Sequence, residues 1–267
     1  MKNVKSKAIK IAFSIGVLLF LGVFFSISVS AQKTEAMPPQ FMDVTVVTVK
    51  PDMAMEFENL IKNEYKPGFT KGGGTVSDVW QMAFGNAFEY VFVQPIGKFA
   101  DMDGPSPLEK GLGKQGAGAF FAKAGKMVTG VKSYVIRARP DLSFTPDTKW
   151  QPKMAVVSHV RVAQGRENEF ENFIKNEWMP VVKKSGVPGY LVSQVVFGGD
   201  ANEYITLVLQ ENFTELDKGA PPIRVLGQEG ARKLQQKLPA GTVTSLERYV
   251  VRYNPELSVM PSPTAAK

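Results

Sequence analysis

The side chains able to move a proton near neutral pH reduce to one, because the sequence contains a single histidine, His159, and no cysteine. Arg161 follows two residues later, so on a strand the two side chains would point to the same face. An imidazole beside a guanidinium can hold a ligand, transfer a proton, or stabilise an enolate or phenolate. The alternative, that His159 is a hydrogen-bonded polar residue of the sheet, stays open.

The same composition excludes several kinds of site. Without cysteine there is no disulfide, thiolate metal site, iron–sulfur cluster or cysteine nucleophile, and one histidine rules out a His-rich zinc site. The run Gly111–Gly116 matches GxGxxG by letter, but it follows no strand and opens no βαβ unit. The sequence therefore predicts no cofactor and no metal.

The elements that would position His159 occur twice in the chain. Glu56–Pro67 reads EFENLIKNEYKP and recurs as EFENFIKNEWMP at Glu169–Pro180, with nine of twelve residues identical at a spacing of 113. Valine-rich runs that suit strands precede both, at Val44–Val49 and Val156–Val162. The repeat predicts two tandem copies.

Each copy reads strand, helix, strand, strand, helix, strand. The first helix has an apolar stripe at helical spacing and ends at a proline, and the second helix opens with a proline, at about 107–127 and 222–238. The βαββαβ order is the ferredoxin-like unit, in which both helices cover one face of an antiparallel sheet. Because the other face of each sheet is bare, we predict that the two sheets pack against each other.

The chain is divided accordingly, with one copy at 43–144, a linker at 145–153, a second copy at 154–258 and a flexible tail at 259–267. Residues 1–31 are expected to be a signal peptide, because four lysines and no acid flank an apolar run that ends in small residues. Cleavage after Ala31 predicts a periplasmic or secreted protein, and an uncleaved N-terminal membrane anchor is the alternative.

Charge gives little evidence for a macromolecular partner. Removal of the four lysines takes the net charge from +7 to +3, and no basic stripe with interleaved aromatic residues remains. Nucleic acid is therefore not an expected partner, and contact with a membrane is expected only through an uncleaved signal segment. A small-molecule ligand is the expected partner.

The chain resembles the dimeric α+β barrel superfamily in its fused, tandem form, whose members include antibiotic-biosynthesis-monooxygenase-like and NIPSNAP-like domains. The resemblance covers nearly all of residues 43–258 and rests on element order, the duplicated glutamate-rich helix and the repeat length. It implies an α+β fold in which two ferredoxin-like repeats pack sheet to sheet as an intramolecular barrel, a monomer with an internal pseudo-dimer. The superfamily includes monooxygenases, haem enzymes and proteins of no known activity.

The space between the two sheets is the expected ligand site. Strand parity puts His159 and Arg161 of the second copy where the first copy has Val46 and Thr48, so we expect a charged end and an apolar end. Further lining candidates are aromatic and amide side chains on neighbouring strands: Trp80, Gln81, Tyr134, Gln194 and Tyr249.

Three functions fit this site. We expect an exported protein that binds a small, partly aromatic molecule between the sheets. The alternative is a cofactor-independent monooxygenase-like or isomerase-like enzyme in which His159 and Arg161 stabilise an enolate or phenolate. The resemblance also implies a third function, haem binding through His159.

Glu64 and its repeat Glu177 fall on the apolar stripe of the first helix of each copy when residues are stepped at 100°. A carboxylate there needs a partner, and Arg137 and Arg252 on the last strands are the expected ones. Replacement by glutamine would then cost about 1–3 kcal/mol. The alternative is a carboxyl group with a raised pKa that acts as an acid or base.

Overall fold

The computed structural model describes residues 40–146, 151 and 153–260, and their strands close into one eight-stranded barrel. The first half of the barrel contains β1 (Phe41–Val49), β2 (Asp78–Phe84), β3 (Glu89–Ile96) and β4 (Val128–Ala138). The second half contains β5 (Met154–Val162), β6 (Tyr190–Phe197), β7 (Glu203–Gln210) and β8 (Val243–Tyr253). The predicted signal segment, 1–31, lies outside the described residues.

Helices accompany the strands of each half. In the first half, α1 (Ala54–Leu60) runs through a π-helical turn (Ile61–Tyr65) into α2 (Lys66–Lys71), and α3 (Pro107–Met127) follows β3. In the second half, α4 (Glu167–Phe173) runs through a π-helical turn (Ile174–Trp178) into α5 (Met179–Lys184), and α6 (Thr214–Asp217) and α7 (Pro221–Gln235) follow β7. Among the described residues, no helix is both long enough and apolar enough to cross a membrane.

The order of strands around the barrel is β1-β3-β2-β8-β5-β7-β6-β4, and every neighbouring pair is antiparallel. The two halves join where β2 pairs with β8 and β4 pairs with β6, so no strand edge is left unpaired. The predicted α+β barrel of two ferredoxin-like units is confirmed. The two sheets meet along both edges and enclose a lumen.

The direction of the strands fixes the internal symmetry. Because each neighbour reverses direction, β1 and β5, which lie four places apart in the ring, run parallel. The pseudo-twofold axis that relates the halves therefore lies along the barrel axis. Equivalent residues such as Val46 and His159 lie at the same height on opposite walls, and the expectation that they mark different ends of the barrel is wrong.

Alternation along each strand separates the core from the lumen. On β1, Val47 and Val49 are buried against Phe57 and Leu60 of α1, and the second half repeats this arrangement. Burial of each such Leu or Phe side chain contributes about 1.5–3 kcal/mol to folding. The intervening side chains of the same strands point into the lumen, as strand parity predicts.

The predicted flexible tail begins one residue too early. Val259 is 6% exposed, and it exchanges two backbone hydrogen bonds with Ser77 at 3.0 and 2.9 Å. The apolar core of the first half includes this valine, which fixes the segment that follows β8. Residues 261–267, and five of the nine linker residues at 145–153, lie outside the described residues.

Candidate functional site

A cavity of about 540 Å³ occupies the lumen of the barrel. An eight-stranded barrel is just wide enough for its side chains to fill it or for one small ligand. Here the side chains leave space, and many of those that face inward are valines or smaller residues. The apolar lining comes from both halves and includes Met42, Val44, Val46, Val91, Val157, Ile205, Leu207 and Val251.

His159 lies on the wall of this cavity, at the middle of β5. Its Nδ1 is 2.5 Å from Oε1 of Glu203, which stands on the adjacent strand β7. The two side chains are 22% and 13% exposed. A carboxylate bonded to one ring nitrogen fixes the orientation of the imidazole and leaves Nε2 for another partner.

Two tyrosine rings flank the imidazole. Tyr134 of β4 and Tyr249 of β8 are pseudo-twofold equivalents, and their ring centroids lie 6.5 and 5.6 Å from that of His159, both close to edge-on. The two rings thus hold the only described imidazole between them and face the cavity. The wall around His159 is aromatic as well as polar.

Both phenols hold their protons more tightly than usual. Burial raises the pKa of Tyr134 well above its ordinary range, and the negative charge of Glu203 adds to the effect. The pKa of Tyr249 is raised to about 12, first by its hydrogen bond to Glu247 and then by burial. At neutral pH both groups are neutral hydrogen-bond donors.

Arg161 also faces the cavity, but its charge is engaged. Its Nε lies 3.0 Å from a carboxylate oxygen of Asp200, and the side chain is 51% exposed at the opening. The predicted stabilisation of an enolate or phenolate by Arg161 is weakened, because the guanidinium already faces a carboxylate. Both predicted site residues face the lumen, but His159 is paired with Glu203 and Arg161 with Asp200.

One end of the cavity carries most of the charge. We call it the charged end, and it consists of residues that the register places near the C-terminal ends of β1 and β5: Glu89, Lys132, Arg161, Glu203 and Glu247. Three carboxylates thus face two cations there. The sequence carries a signal for these residues, since Lys132 and Glu247 precede Tyr134 and Tyr249 by two and share their strand face.

The opposite end is mainly apolar. Its lining includes Ile136, Ala138, Leu191 and Val93. Asp78 is the one ionisable residue of the cavity lining at this end. Burial raises the pKa of Asp78, whose carboxylate accepts a 3.4 Å hydrogen bond from the hydroxyl of Tyr253. The cavity therefore has a polarity gradient along the barrel axis.

The structure separates the predicted lining residues into two groups. Trp80, Tyr134 and Tyr249 line the cavity, as His159 and Arg161 do. Gln81 and Gln194 do not, and for them the prediction is wrong. Successive strand residues point to opposite faces, so Gln81 cannot share the lumen with Trp80.

Outside the lumen, the two glutamines have other partners. Gln81 donates to the hydroxyl of Tyr90 at 3.3 Å. Gln194 accepts a 2.9 Å hydrogen bond from Arg137 and donates to the Ala201 carbonyl. These contacts tie neighbouring strands together and leave both amides out of the site.

The predicted pairs between Glu64 and Arg137 and between Glu177 and Arg252 are wrong. Glu64 lies 2.7 Å from Lys123 of α3, and Glu177 lies 2.5 Å from Lys237. Arg252 instead lies over the ring of Phe213, 4.4 Å from its centroid. The four residues are structural, but they form no ion pair with one another.

The π-helical turns explain the error. The backbone N–H of Lys66 donates to the carbonyl of Ile61, five residues back, and that of Met179 donates to Ile174 in the same way. A turn of this kind is wider than an α-helical turn, so stepping at 100° per residue no longer tracks the helix face. Both glutamates consequently point toward the second helix and solvent.

Haem does not fit the surroundings of His159. Three carboxylates face the cavity at its end, and of the two cations there Arg161 is paired with Asp200. A haem would bring two more negative propionates to this acidic opening. Among the described residues, no group of three or more side chains that could hold a free metal ion occurs.

The strands and helices define an eight-stranded α+β barrel with an interior cavity. No protein-family model matches the chain, and no curated protein matches it. Solved structures match it in fold, at sequence identities too low to carry function.

Three of these structures illustrate the range. A candidate monooxygenase from Lactobacillus acidophilus NCFM has 12% identity and a TM-score of 0.54, with 82% of this chain and 95% of that chain covered. An anthrone oxidase-like protein has 10% identity and a TM-score of 0.54, with 82% and 92% covered. A chlorite dismutase double mutant from Candidatus Nitrospira defluvii has 9% identity and a TM-score of 0.53, with 82% and 94% covered.

Proposed function

We propose that this protein binds a small molecule with an apolar, partly aromatic body inside the barrel. The observation that carries the proposal is the cavity of about 540 Å³, which is lined by valine-sized and aromatic side chains and has its polar groups gathered at one end. Ligand sites in proteins are typically concave, mainly apolar, and furnished with a few placed polar groups. The fold matches to candidate monooxygenase and oxidase-like proteins are consistent with a lumen that accepts aromatic molecules.

A fluorescent probe and a blocked lumen test this function. N-phenyl-1-naphthylamine is neutral and fluoresces when it enters an apolar site, so it should brighten with the wild-type protein. Val157→Trp fills the lumen from the middle of β5 and should abolish the signal. The matched control is Val131→Trp, since Val131 is 64% exposed on the outside of β4, and it should bind as the wild type does. Equal fluorescence from both variants would overturn the proposal.

A second function is supported by one contact, the 2.5 Å approach of Glu203 to Nδ1 of His159. We propose that this pair transfers protons to and from a weakly acidic C–H group of a bound ketone. The ketone's C–H proton moves to Nε2, the electron pair delocalises into an enolate, and Glu203 stabilises the imidazolium that forms. Where the ketone carries a β,γ double bond, return of the proton to the γ-carbon completes an isomerisation without an oxidant.

Deuterium exchange tests this proton transfer directly. The α-hydrogens of 2-tetralone in heavy water, followed by NMR, should exchange faster with the wild-type protein than with His159→Ala, by about 100-fold if His159 is the base. Glu203→Gln should lower the rate less, because Glu203 acts through the imidazole and does not itself take the proton. Undiminished exchange in His159→Ala, with probe binding intact, would exclude the base and leave the binding function standing.

We also propose that the protein is exported, on the evidence of the lysine-flanked apolar run within residues 1–31. Fractionation of the producing cells should find the protein in the periplasm or medium, about 31 residues shorter than the translated chain. Retention of the full-length protein in the membrane fraction would instead indicate an uncleaved anchor.

A further inference from the structure

The charged end of the cavity treats its two tyrosines differently. Over the ring of Tyr134 lies the ammonium group of Lys132, 5.5 Å from the ring centroid, in the position of a cation–π contact. Tyr249 is the equivalent ring of the second half, and the residue equivalent to Lys132 is Glu247. Tyr134 thus has an ammonium group beside it, whereas Tyr249 has a carboxylate at the equivalent position.

The carboxylates at this end are only partly neutralised by the protein. Glu203 is bonded to His159. On the equivalent wall Val46 stands in place of the histidine, and among the described residues Glu89 is bonded only to neutral groups, Thr48 at 3.4 Å and Asn86 at 3.2 Å. Glu247 accepts the hydroxyl of Tyr249 at 2.5 Å. Neither Glu89 nor Glu247 has an ion-pair partner among the described residues.

The cations at the same end do not balance this charge. Arg161 is engaged by Asp200, and Lys132 is the one cation of the charged end without a carboxylate partner. These negative charges also act on Tyr249. Its pKa is raised chiefly by the hydrogen bond to Glu247 and by burial, and the charges of Glu89 and Glu203 raise it further. The charged end is therefore negative beside Tyr249, whereas the equivalent ring, Tyr134, already has the ammonium group of Lys132 beside it.

We propose that this end of the cavity accepts a cationic head group, an ammonium or a similar cation, beside Tyr249 and between Glu89 and Glu247. The ligand class is then an arylalkylamine, with its apolar body in the lumen and its ammonium group beside Tyr249, at the position equivalent to that of Lys132 beside Tyr134. The inference rests on the proposed binding function, and it differs from the enolate or phenolate expected beside Arg161.

A matched series of three indoles tests the charge of the head group. Tryptamine, indole-3-ethanol and indole-3-acetate share one ring system and differ in charge. At low ionic strength we expect tryptamine to bind the wild type at least fivefold more tightly than the alcohol, and indole-3-acetate to bind more weakly than the alcohol. The preference should shrink in 0.5 M salt, because the end of the cavity is open to solvent and salt screens its charges.

Variants assign the preference to the two glutamates. Glu89→Gln/Glu247→Gln should remove the advantage of tryptamine over the alcohol, because it weakens binding of the cation more than binding of the neutral alcohol. The control Glu56→Gln/Glu229→Gln removes the same charge from exposed helix positions and should keep the advantage. Lys132→Gln should increase it, which provides a second test that requires no change at the glutamates.

The outcomes distinguish this inference from the proposed function. Equal or tighter binding of indole-3-acetate, or an advantage that survives Glu89→Gln/Glu247→Gln, would overturn the cationic assignment. Indole binding that Val157→Trp still blocks would in that case leave the binding function intact. Failure of all three indoles to bind at millimolar concentration would count against both.

Discussion

The two halves of the barrel share their strand order and differ in what they place on the lumen wall. Where the first half has Val46 and Lys132, the second has His159 and Glu247. Because the pseudo-twofold axis runs along the barrel, these differences face each other across one end of the cavity. A repeated fold thus provides two walls at the same height, and divergence of a few inward residues is enough to make one side chemically distinct.

The helix layers of the two halves also differ. In the first half, α2 and α3 approach so closely that a Cβ on Gly111 would lie 1.8 Å from the carbonyl oxygen of Gly68. The second half has Val181 and Val225 at these positions, and α5 and α7 lie less closely together than α2 and α3 do. Glycine at both positions therefore permits the closer helix contact of the first half.

The largest effect is expected from a substitution that disrupts the contact between α2 and α3. Gly111→Ala should lower the free energy of unfolding by about 3 kcal/mol, because the atom that the new methyl meets is backbone and cannot move aside. The control Gly118→Ala lies in the same helix with nothing within 4 Å, and it should raise stability by about 0.5–1 kcal/mol. Urea unfolding that gives the two variants the same midpoint would contradict the close contact.

The next effect concerns an ion pair between the halves. Arg139, which follows β4, donates to both carboxylate oxygens of Glu171 in α4 and to Asp141, and its side chain is 14% exposed. Among the described residues, the equivalent Glu58 of the first half has one hydrogen bond, which it accepts from the hydroxyl of Tyr90. Arg139→Ala should therefore cost about 2 kcal/mol at pH 7, and Lys233→Ala, at an exposed pair, about 0.5 kcal/mol or less.

The pH dependence of this cost follows from the carboxyl groups. The hydrogen bonds from Arg139 hold the pKa of Glu171 and of Asp141 below their ordinary values. Their contribution to stability is thus present above the unfolded-state pKa and lost as pH falls through the lowered folded-state pKa. The difference between wild type and Arg139→Ala should shrink in acid, and a difference that is constant down to pH 2 would contradict the ion pair.

Much of the wall could be read from the sequence, because strand alternation is a strict rule. Parity puts His159 and Arg161 in the lumen, and the same rule, applied to the residue after Trp80, excludes Gln81. Applied two residues before Tyr134 and Tyr249, it also adds Lys132 and Glu247 to the wall.

Other features had no signal in the sequence. The π-helical turns that redirect Glu64 and Glu177 change the helical step, and their mixed residue types do not distinguish a π-helical turn from an α-helical one. The parallel course of β1 and β5 depends on how the two sheets join, which the repeat pattern leaves open. Residue spacing predicts the helices, the strands and the face on which a strand residue lies. The orientation of one half relative to the other follows only from the order of strands in the closed barrel.

A smaller effect separates the two tyrosines. Glu247→Gln should bring the pKa of Tyr249 from about 12 down toward 10, because the hydrogen bond to that carboxylate is the main cause of the shift. Tyr134, whose pKa is raised chiefly by burial, should keep its raised value. Ultraviolet absorbance during alkaline titration, assigned with Tyr134→Phe and Tyr249→Phe, measures both groups.

The raised pKa of Tyr249 also predicts how the free energy of unfolding falls at alkaline pH. A tyrosine with a raised folded-state pKa contributes stability that is present below pH 10 and lost as pH rises through about 12. Wild type should therefore lose free energy of unfolding over this range more steeply than Glu247→Gln. Parallel curves would show that the carboxylate does not act on Tyr249.

The smallest effect is expected where the halves agree. Glu64 and Glu177 occupy equivalent π-helical turns, each side chain is 37% exposed, and their lysine partners are 53% and 56% exposed. Exposed pairs of this kind contribute about 0.5 kcal/mol or less, because water screens them and two flexible side chains must be ordered. Glu64→Gln and Glu177→Gln should thus change the free energy of unfolding equally and slightly, and 0.5 M salt should remove the change. A loss of about 1–3 kcal/mol in one variant alone would mean that its carboxylate is buried against a charged partner. The π-helical turns would then position the two glutamates differently, and the equivalence of the first helices would fail at the residue where their sequences are identical.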